Sequence, residues 1–401
     1  MALNLSTLTS SATSGDVLAE ALTTADFLEN VPVLRNLARG SQKGGDAKQD
    51  VALNQPKALP LIDGDGYLYV SGVAGNYAEV NTPIMPATGD FDLSIDFIFK
   101  GPVPNDRVDL FSQYDGNAGR FIMSVTSDNK LRVFWGPVGT KQGGIIVEGQ
   151  RHTARLVREN ADFTLSLDGT SISTWTSSAA ITILNSLIGF GHLTNDRYFK
   201  GAVFSVTEGS NVNVDFTAIG RHGDTKFKCA TGQVVTINQS GNDPATVIKK
   251  SVLRFDGVND GFKGLFDQTI DGGYMFAAFS VLGDGGEPYA RVFGVNSTGS
   301  GDGDSSSAIF SVRVINLSDL GSYINGSYQL SRDDLFDDAN GDVLHECLIK
   351  NGNQVSRVNN ADEGTDSLTT TISSEEFNLV ANASGADNAA IDLEFLALFP
   401  A

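Results

Sequence analysis

From about residue 60 the chain alternates between apolar and polar positions. In Asp90–Lys100 (DFDLSIDFIFK), Phe91, Leu93, Ile95, Phe97 and Phe99 share one face, with Asp92, Ser94 and Asp96 opposite. That period of two predicts a half-buried antiparallel strand. Phe121, Met123 and Val125 repeat the pattern. Leu131, Val133 and Trp135 follow after the turn Ser127-Asp128-Asn129, then Ala154, Leu156 and Arg158, then Phe163, Leu165 and Leu167 before Asp168-Gly169. Short strands at even spacing with turn signals between them predict a β-sandwich. No amphipathic crossover helix intervenes, which argues against a parallel α/β sheet.

A second run with the same order of events begins near residue 251. It opens with Ser251–Lys263 and continues through strand-like segments at Tyr274–Val281, Ala290–Val295, Ala308–Ile315, Asp342–Lys350, Phe377–Ala381 and Ile391–Phe399. Arg151–Arg158 followed by Asp162–Gly169 corresponds to Val343–Lys350 followed by Asn353–Asn359, and Asn185–Thr207 to Phe377–Ala401. The pattern predicts an all-β chain of two tandem antiparallel jelly-roll sandwiches produced by duplication. The expected division is 1–58, 59–210, 211–250 and 251–401. Residues 211–250 form a bridge whose KFKCATGQVVTINQSG reads as a small hairpin or an extra edge.

The N-terminal segment has a different period. Val17, Leu18, Ala21, Leu22, Ala25 and Leu28 recur at helical spacing, with Ser14 or Asp16 as a cap. Pro32 ends that helix and can begin a shorter one with Val33, Leu34 and Leu37. Residues 40–58 are polar, contain three glycines and read as a linker. So short a helical arm cannot bury its own apolar stripe. Val17, Leu18, Leu22, Phe27, Leu28, Val33, Leu34 and Leu37 must dock either on the chain's own sandwich or into a partner.

Composition adds constraints on partners. The net charge is -20. Residues 251–401 hold 23 of the 48 acidic side chains but 7 of the 28 basic ones, a field that repels nucleic acid and anionic membranes. Cys229 and Cys347 are too far apart in sequence for a disulfide framework or zinc spacing, and a buried thiol is the simpler reading. MALNLSTLTSSATSGD lacks the charge and apolar run of a signal peptide. No apolar stretch is long enough to form a membrane-spanning helix.

The opening Leu253-Arg254-Phe255-Asp256-Gly257-Val258-Asn259-Asp260 resembles the first strand of laminin G-like modules of the concanavalin A-like lectin/glucanase superfamily. The Leu167-Asp168-Gly169 hairpin and the closing strand Gly201–Val206 share that resemblance, which covers roughly 61–209 and 251–401. It implies jelly-roll architecture and says little about ligand. The segment Asp215–Leu253 is similar, more loosely, to segments of tailed-bacteriophage structural proteins. That likeness implies a fibre, spike or decoration subunit assembled in a host cytoplasm and displayed on the virion surface. It also implies other virion proteins as partners of the arm, and a homo-oligomer with a trimer favoured.

Little catalytic chemistry is legible. Hydrolases of this superfamily carry paired glutamates flanking an aspartate on one strand. Ile391-Asp392-Leu393-Glu394-Phe395 offers one Asp and one Glu, which read as exposed-face carboxylates. His152, His192, His222 and His345 show no metal-ligand pairing, and His152 and His345 read as matching repeat positions. No nucleophile elbow or phosphate loop occurs. No cofactor is required by this reading. The acidic loop containing Asp338, Asn340 and Asp342 could hold calcium, with a solvated loop as the plainer alternative. Tyr114, Asp115 and Asn117, and Arg197 and Tyr198, are loop residues suited to stacking on and hydrogen-bonding a sugar, although single exposed aromatics are common. Trp135 and Trp175 fall in strand-like runs and read as core. The expected function is thus a non-enzymatic virion-surface protein. A carbohydrate-binding adhesin for host-surface glycans is the alternative, and a glycan-cleaving enzyme a distant third.

Overall fold

The computed structural model describes residues 61–249 apart from 114–119, 182–184, 192–196 and 242, together with strands at 47–48 and 57–59 and those between 252 and 400. Every described element is a strand. The chain divides into two compact units, residues 61–249 and residues 1–60 with 250–401. The first sandwich is therefore inserted into the chain of the second. The helical arm expected around Val17–Leu37 lies outside the described residues.

In the unit 61–249, one sheet runs Thr170–Thr176, Asp162–Leu167, Arg151–Glu159, Phe91–Phe99, Lys200–Glu208, Tyr67–Ser71, Thr246–Ile248, with Val212–Asp215 also paired to Lys200–Glu208. The other runs Lys226–Lys228, Val234–Asn238, Tyr77–Val80, Ser186–Ile188, Arg107–Gln113, Phe121–Thr126, Lys130–Trp135, Gly139–Ile145. The strand pairings are antiparallel. The alternation in Phe91–Phe99 places Phe91, Leu93, Ile95, Phe97 and Phe99 inward, all buried, where they meet Val108, Phe111, Phe121, Met123 and Trp135 of the facing sheet. Each fully buried Phe of this kind contributes about 1.5–3 kcal/mol. Trp135 is at the centre. Its ring packs against Phe91 at 6.0 Å and edge-on against Phe163 at 4.7 Å. Trp175 stacks on Phe163 at 4.9 Å and packs on the core while half-buried.

The second unit has two seven-stranded sheets. One runs Lys57–Leu59, Val252–Asp256, Ala390–Pro400, Gly273–Gly283, Asp342–Lys350, Asn353–Val358, Ala361–Asp366. The other runs Ala47–Lys48, Phe262–Ile270, Ser374–Leu379, Tyr289–Asn296, Ala308–Ile315, Asp319–Ile324, Ser327–Arg332. Apart from Val212–Asp215 and Lys226–Lys228, which have no counterpart among the described strands, this is the order of the first unit. A bulge recurs as well: the ladder skips Phe204 opposite Phe97 and Asp96, and skips Glu394 opposite Phe279 and Ala278. A shared irregularity at one topological position supports duplication more specifically than shared strand count does.

The structure alters three local readings. Residues 211–250, expected to bridge the sandwiches, are part of the first. Val212–Asp215 and Thr246–Ile248 join its Phe91 sheet, and Lys226–Lys228 and Val234–Asn238 form a hairpin that extends the other sheet past Tyr77–Val80. Within 40–58, Ala47–Lys48 and Lys57–Leu59 are strands paired to Phe262–Ile270 and Val252–Asp256. Counted from the shared bulge, His345 matches Ala154 and not His152: His152 pairs with Phe97, whereas Val343 pairs with the equivalent Phe279.

Candidate functional site

The site is built on the outer face of the sheet that contains Arg107–Gln113. In that strand Val108 and Leu110 enter the core, so Asp109 points away from it. Asp109 is opposite Ser124, and Ser124 is opposite Arg132, which lines the three up across adjacent strands. Ser124 Oγ donates to Asp109 Oδ1 at 2.7 Å, and Arg107 Nε donates to the same oxygen at 2.9 Å. The Asp109 side chain is 1% exposed, and its Oδ2 has no partner. Burial pushes its carboxyl above the ordinary range, against the opposing pull of Arg107, Ser124 and Arg197.

Asp106, one residue before the strand, is the hub of the exposed part. Its carboxylate is 3.1 Å from Arg107 Nη1, 3.2 Å from Arg197 Nη2 and 3.5 Å from Arg132 Nη1. Partial burial works to raise its pKa, but Arg107, Arg197 and Arg132 together outweigh that and hold it below the usual value. Burial and the neighbouring Arg107 lower Arg132, whose Nε is buried without a partner. Three guanidinium groups thus share one exposed carboxylate and one buried carboxyl that resists ionisation. The local excess is positive, on a chain that is acidic overall.

Arg197 and Tyr198 reach this face from a distant segment. Asp109 N donates to Arg197 O at 2.9 Å, and Asp109 and Tyr198 form an isolated parallel bridge. Gly189 N donates to Leu110 O, and Ser112 Oγ donates to Phe190 O at 2.8 Å. Phe190 stacks on Tyr198 at 4.8 Å with a 6° interplanar angle and packs on Tyr77 at 5.1 Å. Phe190 is buried while Tyr77 and Tyr198 are half-exposed. The Tyr77 hydroxyl is raised by burial, then by Glu79 and Tyr198. The result is an aromatic ledge beside an arginine cluster, chemistry suited to holding a flat polar ligand with acidic or hydroxyl groups.

Of the residues expected to bind carbohydrate, Arg197 and Tyr198 belong to this face, with Tyr198 half-buried by its stacking. Tyr114, Asp115 and Asn117 lie outside the described residues. So do Asp338 and Asn340, while Asp342 opens the strand Asp342–Lys350. Among the described residues no group of three potential metal ligands occurs. Asp392 is not an exposed-face carboxylate: it is 0% exposed and accepts from Arg254 Nε and Nη2, each at 2.8 Å. The two are register partners on adjacent strands, so the guanidinium compensates the buried charge. Glu394 falls at the bulge, which breaks the simple alternation that would pair it with Asp392. His152 is buried, with Nδ1 2.7 Å from Asp168 Oδ2 and Nε2 2.9 Å from Val147 N. Cys229 is a buried free thiol whose Sγ donates to Gln233 Oε1.

Asp106, Arg107, Asp109 and Arg132 were not singled out from the sequence. The arginines are scattered along the chain, and only the cross-strand register and the returning segment at 197 gather them.

No family model and no curated protein matches the sequence. Among solved structures the chain is similar to domains LG4-5 of the mouse laminin alpha1 chain, at 8% identity and TM-score 0.31, covering 86% of this chain and 92% of that one. It is similar to the LG1-3 region of the laminin alpha2 chain at 11% identity and TM-score 0.33, covering 84% and 63%. It is also similar to the exoplasmic/lumenal domain of VIP36 in its Ca2+/Man-bound form, at 11% identity and TM-score 0.27, covering 37% and 78%. The neighbours are laminin G and other lectin-like domains.

Proposed function

We propose that the chain is a non-enzymatic display protein whose first sandwich binds an acidic glycan on the face formed by Arg107, Arg132, Arg197 and Tyr198. The observation that carries this reading is the convergence of three guanidinium groups on the half-exposed Asp106 beside the Tyr77–Phe190–Tyr198 stack. Asp106 fills part of the arginines' hydrogen-bonding capacity, and a ligand carboxylate or sulfate can take up the rest. The non-enzymatic part is supported by the state of the groups that could do acid–base work. Asp109 and Asp392 are buried, and His152 is held between Asp168 and Val147. The reading extends to a virion-surface position with residues 1–58 as the attachment, which rests on the looser sequence likeness alone. Calcium near Asp338, Asn340 and Asp342 belongs to the same extension.

A glycan array comparing the wild type with Arg197→Ala and Tyr198→Ala tests the binding. The expected result is saturable binding to carboxylated or sulfated glycans, weakened about tenfold or more by either change, the size of a typical interface hot spot. A blank array, or binding indifferent to both changes, overturns it. Deletion of residues 2–40 tests attachment, since a deleted protein that still enters particles cannot be held by that arm.

A further inference from the structure

Arg158 Nε and Nη1, Trp135 Nε1 and Trp175 Nε1 are buried donors with no partner, and they belong to one cluster inside the first sandwich. Arg158 points inward from Arg151–Glu159, in step with Ala154 and Leu156, and is 5% exposed. Its Nη2 donates one long bond, to Ser177 O at 3.4 Å. No carboxylate among the described residues is paired with it. Its neighbours are rings. Phe91 and Phe163 are its register partners on the two flanking strands, and its guanidinium carbon is 5.2 Å from the centre of the Phe163 ring. Trp135 of the facing sheet spans the same gap, with its ring 6.0 Å from that of Phe91 and 4.7 Å from that of Phe163. Arg158 and Phe91 are the last pair of their ladder, and Trp135 is the last residue of its strand, so the cluster lies toward one end of the sandwich. The fold does not require a cation here. Followed along both ladders from the shared bulge, Arg158 opposite Phe91 matches Ile349 opposite Gly273 in the second sandwich. A buried cation among rings and donors is costly unless an acceptor joins it. The first sandwich thus carries a costly group where its duplicate carries an apolar one.

We propose that Arg158 and Trp135 bind the carboxylate group of an organic acid that enters from this end of the first sandwich. Every orphaned group here is a donor. A carboxylate brings one negative charge against one guanidinium, accepts through two oxygens and has no donor of its own. Charge-assisted bonds to a guanidinium are also the strong ones. Water supplies acceptors but no charge. The rings of Phe91 and Phe163 offer the body of the acid an apolar surface. This site is inside the sandwich and shares no residue with the arginine face around Asp106.

The full chain carries its own reporters. It has two tryptophans, and both pack on the Phe163 ring, so their emission reads the site without a label. Sodium acetate titrated into the dialysed protein at neutral pH should change that emission saturably and raise the unfolding midpoint of the first sandwich. Sodium chloride at equal ionic strength should do neither. Arg158→Ile should be at least as stable as the wild type in acetate-free buffer, because it removes an unpaired buried charge, and should lose the acetate response. No saturable change, or the same change with chloride, would show that water alone serves these donors and would overturn the proposal. A large loss of stability in Arg158→Ile without acetate would make the side chain structural and overturn it as well. A response lost in Arg197→Ala but kept in Arg158→Ile would place the acetate on the outer face, which overturns this site and leaves the glycan reading intact.

Discussion

A Cβ on Gly191 would fall 1.9 Å from Asp109 Oδ2. The returning segment therefore packs directly on the buried carboxyl at Gly191, and the bond from Asp109 N to Arg197 O ties it to the same residue again. Gly191→Ala must lift the segment. The expected cost is about 1–3 kcal/mol for overpacking, together with loss of glycan binding. Denaturant unfolding and the array measure the two, and an unchanged stability would show that the segment is not seated there.

Asp109 also sets a pH dependence of known sign. Its pKa is raised above the ordinary 3.8 chiefly by burial, so the folded state holds that proton more tightly than the unfolded chain. The penalty is absent below the unfolded value and grows as pH rises through the folded one. Asp109→Asn cannot ionise, so its stability relative to the wild type should improve as pH rises from about 4 towards neutrality. Parallel stability curves across that window would contradict the assignment.

Asp92 behaves in the opposite sense. Hydrogen bonds from Arg155, at 2.7 Å and 2.6 Å, lower its pKa. Its contribution is present above the unfolded value and is lost as pH falls through the folded one. Both side chains are well exposed, so solvent screening keeps the pair small. Asp92→Asn should cost less than about 1 kcal/mol at neutral pH and nothing in strong acid, as read from unfolding midpoints at each pH.

Arg254 and Asp392 form a buried pair and should show strong coupling. Asp392→Ala leaves an uncompensated guanidinium and should destabilise the second sandwich by about 3–5 kcal/mol. Arg254→Met combined with Asp392→Leu should recover most of that loss. A double variant as unstable as the single one would mean that the pair contributes more than mutual neutralisation.

Gly201 is the least replaceable residue of the closing strand. Its φ is +149°, and a Cβ there would meet the Ile98 carbonyl oxygen at 2.0 Å. That atom belongs to the paired backbone and cannot rotate away. Gly201→Ala should cost about 3 kcal/mol or more, visible as loss of cooperative unfolding in the first sandwich.

The sequence makes the body of the fold legible because long strands announce themselves. Phe91–Phe97 carries seven residues of clean alternation, and the facing pattern in Phe121–Trp135 supplies the opposite wall. The edges are harder to read. Lys57–Leu59, Lys226–Lys228 and Thr246–Ile248 are three residues each, too short for any period. Lys226–Lys228 pairs locally with Val234–Asn238, but the partners of Lys57–Leu59 and Thr246–Ile248 are remote in sequence. The candidate site divides in the same way. Arg197 and Tyr198 stand out as a polar aromatic loop. Asp109 reads as an ordinary outward residue of a strand, and only the loop packed over it makes it buried. Asp392 reads as an exposed-face carboxylate because alternation gives the side of the sheet a residue occupies and not whether that side is covered.

Tyr67 and Ile248 are directly opposite each other in an antiparallel ladder, and so are Leu59 and Val252. Partners in such a ladder have Cα atoms about 5 Å apart. The 61–249 body therefore begins and finishes at almost one point, and the host strands it interrupts also come together at one point. It has the geometry of a cassette: it could be lifted out and grafted into the tip of a hairpin in an unrelated scaffold, and the vacated host resealed with a two-residue turn.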